Sequence, residues 1–512
     1  MGVFQITTDG SDEGPLQAEE SWRPGRREKI LLAVTIAAIA VVTAVRLSVT
    51  ISRHSRLNLI SGICIGQAVD LSQGVFYRPV LSEEGYGGTR YMPLHFVLHA
   101  ALMRALGGPI AAGFAISLFS AAALCAGTYL FLRVLRVPRV LAGSFAVFWL
   151  ATGAGQFAVS TIRMDLLAAA LNVWGLFFSA RCLTGPGRDR NVYWAAAAFV
   201  LAFFTKLVSV FGLIASALAL VLAGRWKSAA KLCVSTSGGI LLAAAIVNLA
   251  SSGRFLESMA ACAWDGKISE LAAGPLVMFK QLKDTDPVTA GIWFMAFAAL
   301  VAGPVRELKG LPALSLASTG VLLSAALAMP RVSFNHLVDL HVAAFAVIAV
   351  YAARTRSHLP LVVSLVAVML TANALVTLAG NRRYDTKQRR ADAAAVLGAV
   401  GDYARPMLSE DAIVAIYAGE RPFMLDSYGF RILSSTRPAM REDLLGRLER
   451  RQFGCVVVQS DPLSEKGKDA FSRLYFCDGF TEALLRNYSL AAMSGEFFAY
   501  VPKAAQSEGG PK

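Results

Sequence analysis

The stretch RYMPLHFVLHAALMRAL, residues 90–106, decides how the chain is threaded through a membrane. Its apolar part, residues 91–106, gives a helix of roughly 24 Å, whereas the hydrocarbon core of a bilayer is about 30 Å thick. The stretch also carries His95, His99 and Arg104, which are costly inside lipid. It is therefore either a defective span or a helix that lies outside the hydrocarbon core.

The composition is typical of a polytopic helical membrane protein. Of the 512 residues, 55% are hydrophobic and only 16% are charged, whereas about a quarter of a typical soluble domain is charged. The charges are confined to short clusters between long apolar runs. The net charge of +14 comes largely from basic residues at the ends of these runs, where they orient the chain, so we expect no nucleic-acid partner.

Eleven apolar segments follow a polar tail, residues 1–29, which we expect to be cytoplasmic and disordered. The segments lie at about 30–50, 109–132, 139–157, 165–181, 191–205, 207–223, 231–250, 288–303, 311–329, 335–353 and 359–379. Basic clusters recur after every second segment, beginning with Arg133, Arg136 and Arg139. Short cytoplasmic loops show this pattern under the positive-inside rule.

Two basic clusters exclude a crossing by residues 91–106. The N-terminal tail and the cluster that begins at Arg133 both belong on the cytoplasmic side, so an even number of spans separates them. Segments 30–50 and 109–132 already supply two. We therefore predict that residues 51–108 form a first outer loop, whose apolar helices lie in the membrane interface. Eleven spans within residues 30–379 then place the C-terminus on the outer side as well.

The C-terminal region, residues 380–512, has the pattern of a small extracytoplasmic α/β domain. EDAIVAIYAG (410–419) and GCVVVQS (454–460) predict buried strands, and REDLLGRLERRQF (441–453) predicts an amphipathic helix between them. Cys455 and Cys477 lie in this region. They could form a disulfide in an oxidising compartment or remain two buried thiols. The predicted fold class is thus an all-α polytopic membrane domain with a small α/β domain attached.

Ionisable residues within or beside the spans are the functional candidates, because charge is costly at that depth. On the predicted topology three motifs reach the outer leaflet: TIRMDLL (161–167), FFTKLVS (203–209) and PRVSFNHLVDLH (330–341). They carry, in chain order, Arg163 and Asp165, then Lys206, then Arg331, Asn335, His336, Asp339 and His341.

The first two motifs also have structural explanations. Asp165 in the first turn of a helix complements the helix dipole. Lys206 at a helix end can extend its ammonium group to the membrane surface. Packing alone does not explain so many polar groups at the start of the 335–353 helix, and for these we favour a functional role.

The predicted first loop adds further candidates: Asp70, Glu84, Arg90, Tyr91 and His95. His95 and His99 lie four residues apart on one helical face, as a metal-binding pair would. The sequence shows no third ligand, so we predict no metal site from this pair. A divalent cation stays open as a cofactor.

Cations and carboxylates at one depth suit a substrate with a phosphate in the headgroup region and a lipid tail in the bilayer. Arg163, Lys206 and Arg331 would neutralise the phosphate. Asp165 or Asp339 would serve as a base or stabilise positive charge that develops on a sugar.

At these residues the chain resembles bacterial integral-membrane glycosyltransferases of the C-type superfamily, which are relatives of protein O-mannosyltransferases and aminoarabinose transferases. Ordered motifs across residues 30–460 carry the resemblance: AVDLSQGVFYRP (68–79), RYMPLHFVLHAAL, RMDLLAAAL (163–171), FFTK (203–206) and FNHLVDL (334–340). LSEDAIVAIYAGERPFMLDSYGF (408–430) and RLERRQFGCVVVQ (447–459) resemble the outer domain of one branch.

The resemblance implies an enzyme of the bacterial cytoplasmic membrane. Such an enzyme transfers a sugar from a polyprenyl-phosphate carrier to a glycan, lipid or protein acceptor on the non-cytoplasmic face. It also implies an acidic catalytic residue shortly after the first span.

This sequence departs from the family at the position of that acid. RHSRLNLISGICIGQA (53–68) contains no carboxylate. The catalytic group is then Asp70 or one of the neighbouring Glu83 and Glu84, or else Asp165 or Asp339. Two other functions stay open: a transporter or flippase, and a catalytically inactive scaffold of the same fold.

Overall fold

The computed structural model describes residues 25–184, 188–262, 268–285, 287–301, 310–328, 334–354, 359–380, 388–401 and 406–503. Most of the predicted N-terminal tail, up to residue 24, lies outside this part. The helices up to residue 380 are α1 (Arg26–Arg53), α2 (Leu59–Ser72), α3 (Pro93–Leu106), α4 (Pro109–Val134), α5 (Arg139–Phe148), α6 (Gly153–Val159), α7 (Asp165–Thr184), α8 (Arg188–Thr205), α9 (Phe211–Leu222), α10 (Trp226–Ala250), α11 (Arg254–Cys262), α12 (Gly274–Thr285), α13 (Pro287–Val301), α14 (Leu311–Ala328), α15 (Val338–Arg354) and α16 (Leu359–Gly380).

The C-terminal region combines short helices with a small sheet. Its helices are α17 (Arg389–Val400), α18 (Ala412–Tyr417), α19 (Ser427–Thr436), α20 (Pro438–Glu449), α21 (Glu465–Arg473) and α22 (Phe480–Asn487). The strands are β1 (Leu81–Ser82) and β2 (Gly85–Tyr86) in the first loop, then β3 (Met407–Ser409), β4 (Cys455–Val458), β5 (Tyr488–Ser494) and β6 (Phe497–Pro502).

Several apolar helices are suited to a membrane. Among the described residues, α1, α4, α7 and α10 are long and apolar enough to cross one. The segment predicted at 139–157 is broken: its two pieces, Arg139–Ala151 and Gly153–Val159, meet at 80° and would count together as a fifth span. Shorter apolar helices include α3 and α9. The molecule is thus mostly helical with a small sheet region, and the total of eleven spans stays a prediction.

Helix α15 forms the centre of the helical part. Every residue from Val338 to Val350 is buried, which explains why its sequence is apolar on all faces. Helix α7 packs beside it, between α4 and α8, and is buried along most of its length. Each of these two enclosed helices carries a buried carboxylate in its first turn. The carboxylate is Asp339 in α15 and Asp165 in α7.

Helix α2 is covered by protein on nearly all sides. Residues Ser61 to Ala68 are all buried. A Cβ atom at Gly62 would lie 2.5 Å from Asp411 Oδ1, and one at Gly66 would lie 2.8 Å from Leu425 Cδ1. These two glycines therefore let the helix approach the C-terminal region closely. The expectation that the helices of the first loop lie in the membrane interface does not hold for α2, because protein occupies the surface that lipid would need.

Helix α3 differs from α2. It is 14 residues long, shorter than the minimum of about 17 residues for a span. Val97, Leu98 and Leu106 form an exposed apolar surface, while His95 and His99 are buried against the protein. A helix with one apolar face exposed and one face packed suits the membrane interface.

The sheet of the C-terminal region has the strand order β3-β4-β6-β5. β3 and β4 are parallel, and the other two pairs are antiparallel. β4 and α20 confirm the strand at 454–460 and the helix at 441–453. The strand predicted at 410–419 is wrong, since β3 ends at Ser409 and α18 follows. The Asp411 side chain caps α18 by accepting a hydrogen bond from Ile413 N at 3.0 Å.

The two cysteines of the C-terminal region are free, buried thiols. Burial raises the pKa of both Cys455 and Cys477 to about 12. The alternative of two buried thiols therefore describes them, and the disulfide is not formed.

Main-chain hydrogen bonds attach the C-terminal region to the first loop. Tyr86 pairs in parallel with Met424. Tyr86 N donates to Phe423 O at 2.8 Å, and Leu425 N donates to Tyr86 O at 3.2 Å. The first loop and residues 423–425 therefore lie side by side.

A labelling experiment tests the predicted topology. Glu84, in the turn between β1 and β2, has a side chain that is 80% exposed. In a protein with the exposed Cys233 replaced by serine, we expect Glu84→Cys to react with an impermeant maleimide added outside right-side-out vesicles. Arg136→Cys, on an exposed residue of a predicted cytoplasmic loop, should react only after the vesicles are opened. The reverse pattern would overturn the topology.

Candidate functional site

A buried ion cluster lies where α7 begins and α8 ends. Asp165 is the first residue of α7, and Lys206 follows directly after α8. Lys206 Nζ donates to Asp165 Oδ1 at 2.6 Å, and Arg163 Nε donates to Asp165 Oδ2 at 3.0 Å. The structure therefore brings Lys206 into contact with Asp165, which lies 41 positions earlier in the sequence. We call Arg163, Asp165 and Lys206 the ion cluster.

The charges within the ion cluster do not balance. Two cations face one carboxylate, which leaves one positive charge in excess among the three side chains. Even the most accessible of them, Lys206, is only 10% exposed. An unbalanced buried charge is costly unless a counter-ion accompanies it. The ion cluster therefore favours a negative charge beside it, which a nearby carboxylate or a bound phosphate can supply.

Asp339 lies in the same interior, in the first turn of α15. Asn172 Nδ2 is 3.5 Å from Asp339 Oδ1, a long contact for a hydrogen bond. Gly212 makes room for this asparagine, because a Cβ there would lie 2.2 Å from Asn172 Oδ1. Lys206 and Asp165 act electrostatically on Asp339, so the carboxylate belongs to the surroundings of the ion cluster.

Two histidines extend these surroundings. His336, in the 3₁₀ helix Phe334–Leu337, is within electrostatic reach of Lys206, Asp165 and Arg163. His95 in α3 is within reach of Asp165. In the described part of the chain, His336 Nδ1 and His95 Nε2 are buried without a hydrogen-bond partner. Such groups are expected to be paired when a site is occupied.

Arg90 and Tyr91 lead into α3 along the edge of this region. The Arg90 guanidinium lies 4.9 Å from the centre of the Tyr428 ring, in a cation–π contact. Tyr91 O accepts a hydrogen bond from the Tyr77 hydroxyl at 2.9 Å. Of the other predicted site residues, Arg331 lies outside the described residues, and so does the side chain of Asn335.

Arginines of the first loop and of the C-terminal region bind Asp70 and Glu84. Arg78 binds both oxygens of Asp70, through Nε at 2.5 Å and Nη2 at 2.6 Å. Arg421 adds a contact from its Nε at 2.8 Å and also binds the exposed Glu84 at 3.1 Å. These residues join the first loop to the C-terminal region.

The region that lacks the expected acid has a structural role. The Asn58 side chain accepts a hydrogen bond from Ser61 N at 3.2 Å and so caps α2. His54 stacks on Tyr417, and its Nδ1 lies 3.0 Å from the tyrosine hydroxyl. Burial and the charge of Arg390 lower the pKa of His54 to about 4. His54 is therefore a neutral packing residue at pH 7.

No group of three or more metal-ligating side chains converges among the described residues. The His95 and His99 rings lie 5.8 Å apart and nearly perpendicular. His99 Nε2 lies 2.6 Å from Pro109 O, so this nitrogen carries the proton and donates to the carbonyl. His99 thus has a structural partner in place of a metal.

An apolar cavity of about 300 Å³ lies between α12, α13, α14 and α15. Its lining includes Trp293, Phe294, Phe297, Leu316 and Leu340. Leu340, the one lining residue that α15 contributes, is in the first turn of that helix. Its lining suits a hydrocarbon chain.

No protein-family model matches the sequence, and no curated protein does. Solved structures do match. ArnT from Cupriavidus metallidurans bound to undecaprenyl phosphate is 14% identical, with a TM-score of 0.61 over 94% of this chain and 99% of that chain. AglB, an archaeal oligosaccharyltransferase from Archaeoglobus fulgidus solved with an inhibitory peptide and a dolichol-phosphate, is 10% identical, with a TM-score of 0.53 over 92% of this chain and 74% of that chain.

The chain shares the fold of ArnT and AglB. The apo form of ArnT supports this too, with a TM-score of 0.59 over 95% of this chain and 100% of that chain, at 14% identity. The resemblance indicated by the ordered motifs is thus confirmed at the level of the fold.

The assignment of Asp70 to a structural role has a measurable consequence. Asp70→Ala would leave the buried Arg78 without its counter-ion, and breaking a buried pair costs about 3–5 kcal/mol. We expect a lower thermal unfolding temperature of the detergent-purified protein. The matched variant Glu84→Ala removes an exposed partner of Arg421 and should cost less than about 1 kcal/mol. Asp70→Asn with unchanged stability and no activity would instead indicate a catalytic carboxylate.

Proposed function

We propose that the chain is a membrane glycosyltransferase that moves a sugar from a polyprenyl-phosphate carrier to a glycan, lipid or protein acceptor on the non-cytoplasmic face of a bacterial membrane. The observation that carries the proposal is the ion cluster, a buried site with excess positive charge at the ends of membrane helices. The fold supports it, because ArnT and AglB were solved with undecaprenyl phosphate and a dolichol-phosphate.

In this proposal Lys206 and Arg163 bind the phosphate of the carrier. Lys206 acts as a point charge, and Arg163 can donate two parallel hydrogen bonds. Asp165 holds both cations in place, so little reorganisation is needed when the phosphate arrives. His95 and His336 offer ring nitrogens to the remaining phosphate oxygens, and the cavity beside Leu340 accepts part of the polyprenyl chain.

The reaction is a displacement at the anomeric carbon of the sugar. The acceptor oxygen forms a bond to that carbon while the bond from the carbon to the phosphate oxygen breaks. The electron pair of the broken bond stays on the phosphate, whose growing negative charge is stabilised by Lys206 and Arg163. The proton of the acceptor hydroxyl passes to a carboxylate. Asp165 is unsuited to this last step, because each of its oxygens accepts from a cation.

A complementation experiment tests the proposal. Cells that lack the protein should miss one defined sugar in their glycan and lipid profile, and the wild-type protein should restore it. We expect Lys206→Ala to reduce this restoration by about 100-fold or more, since removing one preorganised charge costs that much in turnover. Asp165→Asn should act in the same direction.

Lys227→Ala is the matched control, because Lys227 is an exposed lysine at the start of α10. It should restore the sugar as the wild type does, at equal protein levels. Full activity of both Lys206→Ala and Asp165→Asn would contradict the assigned site. Lipid movement across vesicles without a covalent product would indicate transport in place of transfer.

A further inference from the structure

The predicted span at 139–157 is broken, and the break leaves main-chain carbonyl groups without helical partners. Helix α5 continues into a short 3₁₀ helix, Trp149–Ala151, and α6 begins at Gly153 after a bend of 80°. Gly155 makes this bend possible, because a Cβ atom there would collide with Trp149 O. Within a span, a carbonyl that loses its helical partner needs another donor, since water is absent from the hydrocarbon core.

Two amide side chains supply donors at the break. Asn373 Nδ2, from α16, donates to Ala151 O at 2.9 Å. Gln156 Nε2, from α6 itself, donates to Leu150 O and also to Thr43 Oγ1 in α1. Both amides are buried, with Asn373 5% and Gln156 2% exposed. A buried amide is costly without such a partner. Asn373 therefore attaches α16 to the break.

Helix α6 connects the break with the ion cluster. Its last residue, Val159, lies four positions before Arg163. The Arg163 guanidinium lies 5.5 Å from the centre of the Phe157 ring, in a cation–π contact. Thr161 Oγ1 donates to Phe157 O at 2.9 Å and so holds the turn that follows α6. Arg163 is thus held by Asp165 on one side and by a ring of α6 on the other.

Helix α4 fixes the far end of the same turn. Ser117 Oγ donates to Thr161 O at 2.9 Å. Gly113 allows the close approach, since a Cβ atom there would lie 2.6 Å from Ile162 Cγ2. Because this end of the turn is held by α4, the position of the Phe157 ring depends on the direction in which α6 leaves the break.

We infer, on the basis of the proposed function, that Asn373 is a positioning residue for the phosphate of the carrier. Its N–H group fixes the bend at Ala151, and the bend places the Phe157 ring. The ring and Asp165 together hold the Arg163 guanidinium in the orientation that binds phosphate. Asn373 therefore acts through Arg163 and not by contact with the substrate.

A double-mutant cycle tests the inference, with binding of undecaprenyl phosphate to the detergent-purified protein as the measurement. Asn373→Leu keeps a side chain of similar size but cannot donate to Ala151 O. We expect Asn373→Leu and Arg163→Ala each to weaken binding by about tenfold, since a hydrogen bond to a charged group is worth that much. In the Arg163→Ala protein, Asn373→Leu should change binding by less than about twofold, because the residue through which it acts is absent.

Thr371→Val is the matched control, because Thr371 lies on the same helix and its hydroxyl contacts Thr35 Oγ1 in α1 at 3.1 Å. The change removes a polar contact of α16 away from the break, and binding should equal that of the wild type. Gln156→Met removes the other amide donor at the break. It should show the same dependence on Arg163, and it takes the place of Asn373→Leu if that variant does not accumulate.

Three results would overturn the inference. The first is binding by Asn373→Leu, or by Gln156→Met in its place, within about twofold of the wild type. The second is an equal loss of binding with and without Arg163, the additive pattern of independent sites. The third is an equal loss in Thr371→Val. Wild-type binding by Arg163→Ala, or no binding by the wild type, would contradict the proposed phosphate site and the inference with it.

Discussion

The pairing of Asp165 with Lys206 and Arg163 is the interaction on which the site depends. Three charged side chains are buried at the ends of α7 and α8, where each alone would be too costly to keep. Together they remain one positive charge in excess. This excess explains why a negative charge is expected beside them. Both oxygens of Asp165 accept from these cations, which makes Asp165 the less suitable base in the proposed reaction.

The second constraint is the attachment of the C-terminal region to the first loop. Gly62 and Gly66 allow close contact between α2 and this region, and Asp70 binds arginines from both parts. Main-chain pairing of Tyr86 with Met424 fixes their relative register. The first loop is thus a buried layer between the membrane helices and the C-terminal region. Arg421 of the C-terminal region therefore reaches Asp70 of the first loop.

The sequence predicts the helical segments well, because long apolar runs between basic clusters leave few alternatives. It also places Arg163, Asp165 and Lys206 among the candidates, and the structure brings these three side chains into contact. The break between Ala151 and Gly153 escapes prediction, because the apolar composition continues through it. The sequence predicts a strand where Ala412–Tyr417 form a helix, because a short apolar run is compatible with a helix and with a strand. The structure shows that the Asp411 side chain caps this helix.

Long-range pairing causes the remaining differences between sequence and structure. Asp70 is a catalytic candidate in the sequence, and only the structure shows that Arg421, 351 residues away, binds it. A single sequence contains no local signal for this contact.

The most direct measurement is an experimental structure of the full-length protein with undecaprenyl phosphate. The account predicts phosphate oxygens about 3 Å from Lys206 Nζ and from the Arg163 guanidinium, as in charge-assisted hydrogen bonds, with the hydrocarbon chain in the cavity beside Leu340. A phosphate bound elsewhere, with Lys206 and Arg163 still paired only to Asp165, would contradict it.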